Sequence, residues 1–431
     1  MGIIAQKRLF GWEEIETLGE LERLGLTLKY LPDGKLMRVL KQERAQGRDD
    51  YPVDGMWNAV VAGIVYQHPS IESLRRELAR NGQLRWMCGL ASVPPSWAFT
   101  RFLQKLMRHS DLVEEMFDAL VSRLAEALPD MGKHLAHDGK ALSSHGRADR
   151  SDQPADGRRE REANLGVKTH RRVKEDGRLY EKVTTWFGFR VHLLVDAVHE
   201  LPVARKVTKA SEAECPVARE MLDRMKARHP GILSRCETYS ADKEYDDTKL
   251  LKRLWDQERI KPVIPARELW RSRETRLVQG QRQVAYNEHG EVFCHCPKTG
   301  AANRMAFGGL EAERSTLKYR CPAIQKGILC EGFGRCKLHG GIRISLEEDR
   351  RIFTPLARGT YGWERAYKRR SAVERVNSRL DQSFGFERHF IRGLSKMQLR
   401  VDLALVTMLA MALGRIEEKQ KDKLRSLVQA A

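Results

Sequence analysis

The sequence predicts an α/β protein in which a mixed sheet with flanking helices is preceded by a helical module and interrupted by a cysteine-rich insertion. Three observations carry this reading. Apolar residues recur at helical spacing before residue 130, the pattern changes to strand-like alternation after Lys133, and five of the eight cysteines crowd between Cys294 and Cys336. The units expected are 1–130, 131–269, 270–355 and 356–431: a helical module, the first part of the α/β core, the insertion, and a return to helices. A chain of 431 residues is long for one core, so several domains are the natural expectation.

In the first unit, Met56–Tyr66, Ser70–Leu90, Ser96–Met107 and Asp111–Ala127 carry apolar residues three and four apart. Ser70 and the run Pro94-Pro95-Ser96 supply helix starts, the second with Ser96 as cap. Arg75, Arg76, Arg80 and Arg85 leave two readings open, a helix-turn-helix DNA reader or plain solvated faces. His134–Asp138 is then strand-like, and Asp138-Gly139 is expected to break it. A polar stretch from Ser143 to Arg178 reads as a loop. Lys182–Val198 alternates and holds the Val, Thr, Trp and Phe of a strand, His199-Glu200 turns the chain, and Leu201–Thr208 returns. Glu214–Arg228 is an amphipathic helix, Cys236–Ala241 a strand ending at Asp242, Asp246–Glu258 a helix, and Pro262–Pro265 a short strand. Three neighbouring strands, a helix, a strand, a helix and a strand is the element order of the ribonuclease H fold. Trp270–Phe353 breaks the alternation, and helix resumes from Tyr361 to Phe384. The apolar run Leu403–Leu413 is too short to span a bilayer and reads as a core helix.

Charge narrows the partner. Lys and Arg number 77 against 58 Asp and Glu, a net +19 spread along the chain, which points to a polyanion. A membrane surface is the competing partner, but neither a signal peptide nor a lipidation motif opens the chain, so no membrane association is expected. Eight cysteines are few for this length, and a reducing cytoplasm is the expected compartment.

Cutting a phosphodiester requires stabilised charge on phosphate and an activated oxygen nucleophile. Two divalent ions about 3.5 to 4 Å apart supply both, held by carboxylates on oxygen-rich sites that suit Mg²⁺ or Mn²⁺. Asp138 and Asp242 each stand where a strand is expected to stop, so neighbouring strands would bring them together. Strand-end aspartates also form turns and caps, the reading preferred for Asp246 and Asp247. Glu374 lies beside the apolar stripe Val373, Val376, Leu380 and Phe384, on a polar row with Tyr367, Arg370, Ser378 and Asp381. A solvent-exposed pair with Arg370, four residues earlier, is the alternative.

Taken together, His137-Asp138-Gly-Lys-Ala, Trp186-Phe-Gly-Phe-Arg-Val-His192-Leu-Leu-Val-Asp196, Ala241-Asp242-Lys-Glu-Tyr245 and Tyr367-Lys-Arg-Arg370-Ser-Ala-Val-Glu374 resemble the motifs of bacterial insertion-sequence DDE transposases. The last resembles Tyr-x2-Arg-x3-Glu-x6-Lys, the signature of the group that includes the IS-four and IS-five types, and Met56–Met107 resembles the helical module that precedes the catalytic domain. The resemblance implies a ribonuclease H-like core with Asp138, Asp242 and Glu374 as catalytic and metal-binding triad. It implies two Mg²⁺ or Mn²⁺ ions, hydrolysis at element ends, and attack of the freed 3′-hydroxyl on target DNA. Double-stranded DNA, as terminal inverted repeats and target, would be the partner, bound by a homodimer in the bacterial nucleoid. Asp381 departs from the signature, an acid where the group has its Lys. A nuclease of the same fold without strand transfer and an inactive DNA-binding relic are the alternatives. The intact triad argues against the relic.

Further contacts follow. Arg171 and Arg172, with Arg147, Arg150, Arg158, Arg159, Arg161 and Lys174, make the polar stretch either a DNA-riding or a merely solvated loop. Arg190 is expected to contact phosphate, sharing one strand face with His192; Tyr367, Arg370 and Arg379 join it as DNA-binding candidates. Cys294, Cys296, Cys321, Cys330, Cys336 and His339 offer more than the four ligands of a structural Zn²⁺, with buried free thiols as the alternative.

Overall fold

Helices form along the N-terminal chain where the apolar period is 3.6 residues, and they break where a side chain caps the backbone. The computed structural model describes residues 21–45, 50–148, 159–173, 179–270 and 274–425. Within these, α1 (Leu21–Tyr30), α2 (Gly34–Arg44), α3 (Val53–Val65), α4 (Ile71–Arg80), α5 (Gly82–Met87), α6 (Ser96–Arg108) and α7 (Ser110–Ala127) follow in order. The single helix expected over Ser70–Leu90 is two. Ser70 Oγ accepts from the Ser73 amide at 3.1 Å to start α4, and Asn81, with φ −102° and ψ 95°, accepts from the Leu84 amide at 2.9 Å to start α5. Pro95 rather than Ser96 is the N-cap of α6.

The main sheet comprises β1 (His134–Ser143), β2 (Asn164–Val173), β3 (Leu179–Asp196), β4 (Leu201–Lys209), β5 (Thr238–Ser240) and β6 (Lys261–Val263). Its order is β4-β3-β1-β5-β6. β3 runs antiparallel to both β4 and β1, while β5 lies parallel to β1 and β6 parallel to β5. β2 pairs with the first half of the long β3, from Val173 opposite Leu179 to Asn164 opposite Gly188. Part of the stretch expected as a loop is therefore a strand. Its polar composition reflects a ribbon that stands clear of the core, with Leu165 and Val167 exposed.

α8 (Glu214–Arg228) packs on the sheet as its spacing predicts; α9 (Ser371–Phe384) and the long α10 (Leu394–Glu417) follow the insertion. Asp246–Glu258, expected as one helix, is a short α-turn, Thr248–Lys252, running into a π-turn, Arg253–Gln257. α10 is buried from Val401 to Arg415 and lies against α1, α3, α7 and β4. The N-terminal helices thus share one core with the sheet, running from Leu24 through Trp57 and Phe117 to Leu193 and Leu409. The insertion has a second core around Trp255, Tyr286, Tyr319 and Phe353, between a four-stranded and a three-stranded sheet. Among the described residues no helix is long and apolar enough to cross a membrane.

A buried ion pair fixes α10 to the sheet. Arg205 Nε on β4 lies 2.7 Å from Asp402 Oδ1, with 3% and 5% of the side chains exposed. Gln398 Nε2 donates to the same oxygen at 2.9 Å, and its own carbonyl accepts from the Val207 amide at 3.1 Å. Asp402→Ala strands a buried guanidinium, and a loss of about 3 to 5 kcal/mol is expected in guanidinium chloride unfolding. Arg205→Met combined with Asp402→Leu should recover most of it, because the charge is removed with its partner; equal losses in the single and double variants would refute this account.

Candidate active site

β1 delivers the first carboxylate. Its side chains alternate, so Asp138 and Lys140 share one face while His137 and Gly139 share the other. The strand continues through Gly139, pairing residue by residue as far as Ser143 opposite Gly188. The expected break at Asp138-Gly139 does not occur. Gly139 is needed for space instead: a Cβ there would lie 3.0 Å from Arg190 Cδ and 3.1 Å from Glu214 Oε1. The second carboxylate follows β5, where Asp242 caps the turn Lys243–Tyr245 by accepting from the Glu244 amide at 2.8 Å. Ala136 is matched with Ser240 across the parallel pair β1 and β5; Asp138 lies two residues further along β1, and Asp242 two residues past the match, just beyond the end of β5. Burial raises the Asp138 pKa, and the charge of Asp242 raises it further, against Lys168 and Arg370.

Arg370, on the turn that leads into α9, reaches into this group. Its Nη1 lies 3.8 Å from Asp138 Oδ2, and its Nη2 donates to Glu374 Oε1. Burial works against its charge, yet Asp138, Glu374, Tyr367 and Asp242 together raise its pKa. Glu374 stands at the border of the buried face, half exposed at 53% and turned to Arg370. Tyr367 stacks on Trp363 with ring centroids 5.0 Å apart, so that tryptophan packs within its own helix. Asp381, the departure from the signature, pairs with Lys140 Nζ at 2.5 Å. A positive charge therefore does stand beside this stretch of α9, supplied by β1 two residues after Asp138.

Sequence reasoning missed Glu214. It opens α8 and pairs with Arg190 Nη1 at 2.5 Å, both side chains 12% exposed, while its Oε2 is buried without a hydrogen-bond partner. Burial pushes its pKa up to about 7, opposed by Arg190 and reinforced by Asp242 and Asp138. An acid in the first turn of a helix is ordinary in sequence, and only the tertiary approach to Gly139 and Arg190 marks it. Behind the sheet lie His137, His192, Tyr239 and Tyr245, all buried. His137 Nδ1 meets the Tyr239 hydroxyl and His192 Nε2 meets Thr208 Oγ1 at 3.0 Å. Burial lowers the pKa of His192 to about 3 and that of His137 well below the usual range, so both rings are neutral.

The remaining candidates are dispersed. Arg379 faces inward onto the carboxylate of Glu200, which also receives Arg375, so its guanidinium is not presented to DNA. Arg190 is likewise held, by Glu214 and over the Trp186 ring at 5.3 Å. Arg171 and Arg172 fall on β2 opposite Glu181 and Tyr180; their side chains, and Arg150, Arg158 and Lys174, lie outside the described residues. Arg75 and Arg80 pair with Glu72 and Glu77, and Arg85 donates to the Leu78 carbonyl, which favours solvated or local roles over base reading. An open basic cleft of about 690 Å³ lies instead between α6 and the start of α10, lined by Arg101, Lys105, Arg108 and Ser395. The five insertion cysteines line one small cavity. His339 is apart from them, exposed and with Nδ1 2.8 Å from the Cys336 carbonyl. The Thr299 hydroxyl and the amides of Thr299 and Lys298 lower the Cys296 thiol to about 6. As the side chains stand, no three His, Cys, Asp or Glu among the described residues are set to hold a metal ion.

Comparison with known proteins bears on this geometry. A family model described as "Transposase DDE domain" matches residues 133–410, more than half of the chain. No curated protein matches it. Among solved structures, the chain is similar to the piggyBac transposase synaptic complex with hairpin DNA seen by cryo-electron microscopy. That match has 10% identity and a TM-score of 0.36, covering 97% of this chain and 80% of the other. The matched residues contain every strand of the main sheet and the helix bearing Glu374, and the chain belongs to the DDE transposase family.

Proposed function

We propose that this chain is an insertion-sequence DNA transposase. In this reading it cuts at the ends of a mobile element and joins the freed 3′-hydroxyls to target DNA, using one carboxylate site on a ribonuclease H-like core. The placement of Asp138 and Asp242 carries the reading. Adjacent strands lie about 4.8 Å apart, so equivalent positions two residues past the Ala136–Ser240 match bring both carboxylates to one edge of the sheet. The order β4-β3-β1-β5-β6, antiparallel on one side of β1 and parallel on the other, supports the ribonuclease H-like reading.

Asp138, Asp242 and Glu374 offer only oxygen donors, which fits Mg²⁺ or Mn²⁺, and Glu374 has to exchange Arg370 for the ion to join them. A bound pair of such ions supplies charge neutralisation at phosphate and a more acidic water. Glu214 adds a fourth carboxylate against Gly139, within electrostatic reach of Asp242 and Asp138, with its Oε2 unpartnered. Arg370 and Lys140 place positive charge at the same edge, where a phosphate would enter. Hydrolysis and strand transfer differ only in the attacking oxygen, water or a 3′-hydroxyl, so one site that orients an in-line attack serves both. The basic cleft beside α6, with Arg101 stacked 5.0 Å over the exposed Trp97, is a suitable track for the DNA leading to it.

Asp242→Ala is expected to lower Mg²⁺-dependent cleavage of DNA carrying the element ends by at least about three orders of magnitude while leaving the circular dichroism spectrum unchanged. Wild-type rates in that variant would sink the mechanism. At Asp381 the prediction is one of coupling. Asp381→Lys alone sets two like charges against each other and should weaken activity, whereas adding Lys140→Asp should restore part of it in a double-mutant cycle; additive losses would show that the pair does not act together.

Glu214 gives a pH prediction. Its folded pKa of about 7 lies above the usual 4.5. The folded state therefore binds more protons between those values, and metal-free stability falls as pH rises through that window. The contribution is up to about 3 kcal/mol, and Glu214→Gln should flatten the slope of unfolding free energy between pH 5 and 7. Identical slopes in the two proteins would remove Glu214 from this role.

A further inference from the structure

The stretch from Cys321 to Gly341 has little of its own to hold it. It contains one five-residue helix, Pro322–Lys326, and one three-residue turn, Phe333–Arg335, and pairs with no strand. Its apolar side chains do not anchor it: Leu329 is 99% exposed, Ile324 61% and Phe333 43%. A segment of this kind needs a crosslink or a metal to stay ordered. What it does share with the neighbouring sheet is sulfur. Cys294, Cys296, Cys321, Cys330 and Cys336 line one largely closed cavity of about 10 Å³, near the space that one water-sized sphere requires. None of these cysteines is in a disulfide.

The backbone beside one of these sulfurs donates to it. The Leu338 amide lies 3.4 Å from Cys336 Sγ. A donor two residues after a cysteine orients its sulfur as a ligand. Gly332, two residues after Cys330, packs directly on Cys296. Gly332 cannot be replaced without disturbing this, since a Cβ there would lie 2.9 Å from Cys296 Sγ. Cys294 is different. It sits within the strand Val292–His295 and donates its thiol proton to the Asn303 carbonyl at 3.6 Å.

We propose that Cys296, Cys321, Cys330 and Cys336 bind one structural Zn²⁺ as a tetrathiolate, with Cys294 remaining a thiol beside the site. Binding replaces four S–H bonds by four Zn–S bonds and releases four protons to solvent, with no change of oxidation state. The sulfurs must close inward to bond distance, which short turns between glycines permit. The ion ties the strand-poor segment to the sheet that ends at Cys296. That sheet in turn meets the catalytic region, because Glu288, beyond the strand Val284–Asn287, accepts from Arg351 Nη1 at 2.8 Å, and Arg351 Nε lies 2.7 Å from Asp246 Oδ2, four residues from Asp242.

The test is metal content and thiol count on the full chain, and it does not depend on the transposase reading. Protein purified after growth with added zinc, and the same protein reconstituted with Zn²⁺, should carry one zinc per chain by plasma mass spectrometry. A mercurial should release that zinc into a chromogenic chelator. Cobalt-loaded protein should show the absorption of tetrahedral thiolate coordination. Cys294→Ser should keep the full zinc content, while Cys330→Ser and Cys336→Ser should lower zinc retention at least tenfold on dialysis against a weak chelator. Reconstituted wild-type protein holding less than a tenth of an equivalent, or Cys294→Ser losing as much zinc as Cys330→Ser, would overturn the assignment. The wild-type arm stands even if a variant fails to fold.

Discussion

Everything at the candidate site depends on β1 having different neighbours on its two sides. β3 runs antiparallel to it and β5 parallel. An antiparallel neighbour can be reached by a tight connection, but a parallel one cannot, so the chain must travel through β4 and α8 before β5 can be laid down. That excursion fixes which residues meet. It returns the chain beside β1 with Ser240 matched to Ala136, two residues before Asp242 and Asp138, and it starts α8 where Glu214 can reach Gly139. A one-residue slip in either pairing would turn Asp138 to the face that holds His137, against a buried and neutral layer.

Concentrating carboxylates in this way has an electrostatic cost, and the chain offsets it with arginine and lysine from other elements. Arg370 serves Asp138 and Glu374, Arg190 serves Glu214, and Lys140 meets Asp381. None of these pairs stabilises the fold by much where solvent reaches it. At Asp138 and Glu214 burial raises the pKa, and the neighbouring Arg370 and Arg190 work against it. In the two-metal reading proposed above, an arriving cation would meet acids paired with arginine and lysine side chains. Glu374 is the most accessible of the three and the one tied to Arg370 alone, so it is the carboxylate free to respond.

How much was legible depended on whether a signal was local. The amphipathic period of Glu214–Arg228 was enough to give its limits, and the stripe on α9 placed Glu374 at the border of the core. Asp138-Gly139 was misread because Asp-Gly favours turns wherever the chain is free to turn, whereas here the glycine admits Arg190 and Glu214 against an unbroken strand. The strand β2 was hidden by its composition, since a ribbon exposed to solvent needs no apolar face. Asp381 looked like a lost charge until its partner appeared 241 positions away, and no local pattern carries that information. The triad was legible only through motif order, which adds what spacing cannot, and it stands as part of the proposed function.

Asp246 and Asp247 show the same limit in a neighbouring pair, and they explain why the insertion matters to the site. Both were read as helix caps. Asp247 is one, accepting from the Leu250 amide at 2.8 Å. Asp246 is fully buried instead and accepts from the Arg267 amide at 2.8 Å and from Arg351, with Arg358 Nη2 3.8 Å away. Arg358 also donates to the Ile264 carbonyl, just past β6. The turn that begins at Asp242 is therefore closed by arginines that come from the far end of the insertion. Burying an aspartate with two arginines gains little net stability, but removing either charge leaves the other unpaired, so the arrangement specifies one geometry. The insertion thus meets the candidate site through Asp246: what holds Arg351 in place also holds the turn that follows Asp242.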